Sequence, residues 1–82
     1  MLGFGPSKKK IAQEIASVQK DVDPKNYSSS MSVDKMNEMG IQAMLYDSTV
    51  NTFNNSKQHN SDRKKAFKEL KSVQKNVRKI NK

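Results

Sequence analysis

Eighty-two residues with a net charge of +8, a sequence pI near 9.9 and a hydrophobic fraction of 33% leave room for one small domain with little apolar surface to bury. The absence of cysteine excludes disulfide frameworks, thiolate metal sites and cysteine catalysis. No apolar run approaches the ~20 residues that span a bilayer. The N-terminus also lacks the charged start and apolar core of a signal peptide, so a chain used inside a cell or packaged within a virus particle is expected.

Residues 1–6, MLGFGP, hold two glycines and a proline and read as a flexible apolar arm. Leu2 and Phe4 are its partner-docking side chains, set against the plainer reading of a disordered terminus. Ser7 is placed to cap a first helix over 7–22, in which Ile11, Ile15, Val18 and Val22 form a narrow apolar seam suited to one neighbouring helix. Asp23-Pro24 ends it, because the residue before proline is pushed out of the helical region. Residues 23–31, with three consecutive serines beside Pro and Asn, read as a linker.

A second helix is expected over 33–58, capped by Ser32 or Ser30, with its hydrophobic pattern running to about residue 53. Met36, Met39, Ala43, Tyr46, Val50 and Phe53 step by three and four and define its seam, with Ile41, Met44 and Leu45 broadening the buried face. This helix is the expected core element and the expected partner interface. Gly40 costs about 1 kcal/mol relative to Ala in mid-helix and marks a kink or a close helix approach. A polar linker over 54–61 follows.

The third helix, over 61–82, has two opposed faces. Ala66, Phe67, Leu70, Val73, Val77 and Ile80 fall on one side; Lys64, Lys68, Lys71, Lys75, Arg78 and Lys82 make a basic stripe about 27 Å long on the other. Residues 8–26 align with 63–81, sharing the Ser-Val-Gln-Lys block at 17–20 and 72–75, a Glu (Glu14, Glu69) and a Val (Val22, Val77). Both copies begin with three cations, Lys8, Lys9 and Lys10 in one and Arg63, Lys64 and Lys65 in the other. A helix N-terminus ordinarily prefers negative charge, so the repeated departure reads as an anion site built from cations and backbone N–H groups.

The cations comprise fourteen Lys and two Arg. Lys acts as a mobile point charge on phosphate, whereas Arg reads guanine edges, so sequence-independent contact with a nucleic-acid backbone is expected. Enzymatic chemistry has no foothold. His59 is a lone loop histidine, Asp21, Asp23 and Asn26 lack the glycine and distal Glu of a calcium loop, and no Gly-rich phosphate loop or nucleophile motif occurs. No cofactor and no metal are expected. The connections are too long for a helix-turn-helix, and no helix offers a mixed Arg, Asn and Gln reading face.

The expected fold is all-α, with about three amphipathic helices in a small bundle or open arrangement completed by other copies or a partner. The expected function is a non-enzymatic structural role in a nucleoprotein assembly, with Lys8–Lys10, Arg63 and the third-helix stripe on phosphates; an internal component of a phage or virus particle fits this profile. The alternative is a protein-interaction scaffold or adaptor acting through the central helix and the arm, with an acidic protein surface as the partner of the lysines. Attachment to an anionic membrane is the third reading, weakened by the small apolar face of the last helix.

Overall fold

A computed structural model describes residues 5–81 and contains three helices: Lys8–Val22 (α1), Val33–Asn54 (α2) and Asn60–Ile80 (α3). The fold is all-α, as the periodicities predict, and the molecule measures 43 × 25 × 16 Å. The arm, with Leu2 and Phe4, and Lys82 lie outside the described residues, apart from Gly5 and Pro6. Those two residues pack across the first turn of α3. A Cβ added at Gly5 would sit 2.7 Å from the Asn60 carbonyl oxygen, so only glycine allows this close crossing.

The helix ends follow from side-chain caps. Ser7 Oγ accepts from Lys10 N at 3.1 Å and Ser32 Oγ from Lys35 N at 3.2 Å, satisfying N–H groups that have no partner within the helix. Two linker side chains fold back onto the end of α1: Asn26 Nδ2 donates to the Lys20 carbonyl at 2.8 Å and the Tyr27 hydroxyl to the Val22 carbonyl at 3.2 Å. The 23–31 linker is thus a short 3-10 turn, Pro24–Asn26, whose following residues Tyr27 and Met31 pack on the core.

Helix α2 ends at Asn54, four residues before the expected 58. The Ser56 hydroxyl and amide both donate to the Phe53 carbonyl, and Gln58 turns the chain left-handed at φ 57. The helix hydrogen-bond ladder is therefore diverted at Phe53, where a short polar side chain competes for the carbonyl. Helix α3 begins at Asn60, one residue earlier than expected, with Asp62 Oδ2 accepting from His59 N at 3.1 Å.

The sequence repeat explains how the helices assemble. Lys10 stacks on Phe67, Glu14 pairs with Lys71 and Gln74 donates to Asp21, so α1 and α3 run parallel and nearly in register with the sequence alignment. Asn76 donates to Gln42 at 3.2 Å and Thr49 to Glu69 at 3.4 Å, so α2 runs antiparallel to α3. Aligned positions of the repeat make equivalent reaches. Glu14 and Asp21 of α1 contact α3, and their counterparts Glu69 and Asn76 of α3 contact α2. Ile11, Val18 and Val22 likewise match Ala66, Val73 and Val77, and all six are buried. Ile15, the counterpart of fully buried Leu70, packs against the same core.

The buried face of α2 differs from the expected seam. Met39, Gln42, Tyr46, Thr49 and Phe53 are buried, so the helix is rolled about its axis until Gln42 and Thr49 enter the seam in place of Met36, Ala43 and Val50. Both polar side chains are satisfied by α3, and each would be costly to bury without such a partner. Ala43 and Val50 remain half-buried against the core, while Met36 is exposed. Ile41, Met44 and Leu45, expected to broaden the buried face, point outward instead. Gly40 is also exposed, and a Cβ there would meet nothing within 4 Å, so no close helix approach explains it within the chain.

Two phenols tie α1 in place. The Tyr46 hydroxyl donates to the Ile15 carbonyl across the α1–α2 contact at 3.2 Å, much as Tyr27 closes the end of α1. Burial pushes both phenols above their ordinary value of 10.0, and Asp23 beside Tyr27 and Asp47 beside Tyr46 push the same way. A raised folded value means that the native state holds the proton more tightly than the unfolded chain. This stabilisation is complete below pH 10.0 and is lost as pH climbs through the raised values. Urea melts of the wild type and Tyr46→Phe across this range are expected to show the gap between them moving in the variant's favour above pH 10.0. A gap that stays constant would mean that Tyr46 ionises alike in both states.

Candidate nucleic-acid interface

Charge is segregated by helix. Helix α3 carries eight cations (Arg63, Lys64, Lys65, Lys68, Lys71, Lys75, Arg78 and Lys79) against two carboxylates, Asp62 and Glu69. Helix α2 carries only Lys35 against Asp34, Glu38 and Asp47. The apolar positions of α3 turn inward to Met39 and Val18, which forces the intervening lysines outward.

Lys64, Lys68, Lys75 and Arg78 are all exposed along α3 and span about 21 Å of helix. Lys71 has a second task. Its Nζ lies 3.2 Å from Glu14 Oε2 and 5.2 Å from the centre of the Phe67 ring. The Glu14 side chain is only 12% exposed against 51% for Lys71, so the lysine compensates a carboxylate that has little water around it. Lys10 Nζ sits 5.7 Å from the same Phe67 ring. The ring thus binds a cation from each helix, and it brings the Lys8–Lys10 cluster alongside the first half of the stripe.

Arg63 does not join this surface. Its Nε donates to the Pro6 carbonyl at 2.8 Å, Nη1 to the Gln58 carbonyl at 2.6 Å and Nη2 to Asn60 Oδ1. The guanidinium thereby pins the incoming chain and the left-handed turn to the start of α3. The expected anion sites at the helix N-termini are likewise filled from within: Ser7 caps α1, and the Asp62 carboxylate occupies the first turn of α3. Sequence periodicity carries no trace of the Arg63 contacts, since Pro6 is 57 positions away.

Of the side chains expected to meet a partner, Met39, Tyr46 and Phe53 are taken up by the chain's own core, with Ala43 and Val50 against it. Among the described residues the exposed large apolar side chains are instead Met44 (71% exposed), Ile41 (56%), Leu45 (47%), Val33 and Met36, all on α2. The sequence does signal this: apolar residues occur on every side of α2, whereas only one side can face the bundle.

A surface groove of about 330 Å³ lies between Ser28–Ser32 and the end of α3 and is lined by hydroxyls with Lys35 and Ile80. Among the described residues no group of His, Cys, Asp or Glu converges as a metal site would require, and no helix is long and apolar enough to cross a membrane. Asp21, Asp23 and Asn26 each make a separate structural bond, to Gln74, Lys25 N and the Lys20 carbonyl. Comparison with protein-family models, with curated proteins and with solved structures finds no match.

Proposed function

We propose that this protein is a non-enzymatic structural component of a nucleoprotein assembly that contacts the nucleic-acid backbone without reading sequence. The observation that carries the proposal is the exposed row Lys64, Lys68, Lys75 and Arg78 on a helix whose opposite side is locked into the core. Lys8 and Lys9, exposed on the neighbouring parallel helix, extend it. Such a row offers charge at intervals along a rigid rod but no donor–acceptor pattern matched to base edges. Lysine therefore follows phosphates wherever they run. The basic, cysteine-free and very small chain suits an internal component of a phage or virus particle, which is the setting we infer.

The test is the salt dependence of duplex binding. Neutralising about six phosphates releases their counterions and gives a log–log slope of about −5. Scrambled duplexes of equal length are expected to bind alike. Binding that is absent, or indifferent to salt, removes the nucleic-acid reading.

A second reading, a protein-interaction scaffold, is favoured by the exposed Ile41, Met44 and Leu45. In it the lysines serve solubility or meet an acidic protein. Under this reading the wild type shows no salt-dependent binding to duplex DNA, and replacing Ile41 and Leu45 with polar residues abolishes capture of the partner protein.

A further inference from the structure

We propose that the exposed flank of α2 beside α3 is the interface between two copies of this chain, packed antiparallel about a two-fold axis. The inference concerns a surface whose nearest α3 cations, Lys65 and Lys79, lie outside the row Lys64, Lys68, Lys75 and Arg78, and it is independent of the nucleic-acid reading.

The seam along this flank of α2 is Asp34, Glu38, Ile41, Leu45, Ser48 and Thr52, all exposed. Its steps of four, three, four, three and four read the same in both directions, so a second α2 laid antiparallel matches it position for position. In the register that sets Ile41 against the partner copy's Leu45 position, Glu38 faces Ser48 and Asp34 faces Thr52. Both carboxylates then meet hydroxyls, which can donate to them, while the two aliphatic side chains close the centre. A parallel pairing would instead set Asp34 against Asp34 and Glu38 against Glu38, placing like charges together.

The borders of the seam complete the match. A groove of about 290 Å³ between α2 and α3 is lined by Leu45, Ser48 and Thr52 together with Lys65. The antiparallel register delivers the second copy's Asp34 and Glu38 to this groove, where Lys65 supplies the opposite charge and Glu69, also in the lining, accepts from Thr49. A second groove of about 240 Å³, lined by Ile41, Glu38 and Ile80, lies where the second copy's Leu45 arrives. Two copies of a chain with net charge +8 repel each other over most of their surface. Helix α2 is the one helix with more acids than bases, so a contact centred on it is where that repulsion is least.

Two measurements test the proposal. Sedimentation equilibrium over a concentration series is expected to show a monomer–dimer equilibrium, and Ile41→Gln/Leu45→Gln is expected to raise its dissociation constant at least about tenfold. Both positions are exposed, so the variant should keep its helical circular dichroism; a variant that unfolds is replaced by Glu38→Lys, which sets a cation against Lys65 and should weaken the dimer similarly. The absence of native cysteine permits a register test: Glu38→Cys and Ser48→Cys, mixed and oxidised, should give mainly the mixed 38–48 crosslink. A monomer at every concentration overturns the proposal, whether or not the same face takes up lipid vesicles or another protein. A dimer that crosslinks mainly 38 to 38 and 48 to 48 overturns it as well.

Discussion

Leu70→Ala is expected to remove 2–5 kcal/mol, on the order of half the stability of the molecule. A chain of this size has about 4–12 kcal/mol in total, at about 0.05–0.15 kcal/mol per residue. Leu70 is fully buried at the middle of α3, in the cluster that contains Val18 of α1 and Met39 of α2. Truncation leaves a hole at the place where all three helices share a core. The surrounding side chains are held by cross-helix bonds on either side, Thr49 to Glu69 and Gln42 to Asn76, which limits how far the helices can close over it. Urea denaturation should show a large fall in midpoint with an unchanged slope. Val33→Ala, at an exposed position, should change stability by no more than about 0.5 kcal/mol. A Leu70→Ala loss below about 1 kcal/mol would mean that α3 does not sit at the centre of the bundle.

The triple reversal Lys64→Glu/Lys68→Glu/Lys75→Glu is expected to lower affinity for duplex DNA by about 500-fold or more at about 0.1 M salt. Each phosphate contact contributes about 0.9 of a decade per tenfold dilution of salt, so losing three contacts removes nearly three decades before any repulsion is counted. All three side chains are exposed and outside the cross-helix bonds described, so the fold should survive, as circular dichroism can check. The decisive control reverses Lys20, Lys25 and Lys57, which are exposed elsewhere and leave the same net charge. That variant should lose less than about tenfold. Equal losses would assign binding to overall charge and remove the row on α3 from the account. Lys71 belongs in neither set, because its loss would also leave Glu14 buried without its cation.

The contrast between the helices shows what periodicity reveals and what it conceals. In α1 and α3 the apolar residues are sparse and confined to one side, so Val18, Val22, Leu70, Val73 and Val77 can only face inward, and they do. In α2 apolar residues surround the axis, and the choice of face falls to polar groups. Gln42 and Thr49 can enter the seam because Asn76 and Glu69 happen to lie opposite them, a complementarity that exists only after α3 has docked. The expected seam, chosen for apolarity, therefore shares Met39, Tyr46 and Phe53 with the buried face but substitutes Met36, Ala43 and Val50 for the bonded pair. The basic row was legible for a related reason: long cations at three- and four-residue spacing opposite an apolar face have nowhere else to go. Arg63 was not, because its guanidinium is taken up by the distant Pro6 carbonyl and by the Gln58 carbonyl in the preceding turn, and Lys71 only half so, because Glu14 claims it.

The parallel placement of α1 and α3 has a consequence for synthesis. Helix α2 meets α3 across the short connection between Asn54 and Asn60, a brief and entropically cheap closure. The side chains of α1, by contrast, find partners in α3 more than fifty positions downstream, as Asp21 does in Gln74 and Lys10 in Phe67. At translation speeds of about 5–20 residues per second, α1 exists for roughly 3–10 s before α3, the second of the two helices that cover it, has been made. Its first turns leave the ribosome with an apolar seam of only Ile11, Ile15, Val18 and Val22, edged by Lys8, Lys9, Lys10 and Lys20. So sparse a seam, flanked by like charges, is poorly suited to sticking to other nascent chains during that wait. The narrowness that leaves the finished bundle with a small core also lets its first helix wait in the open.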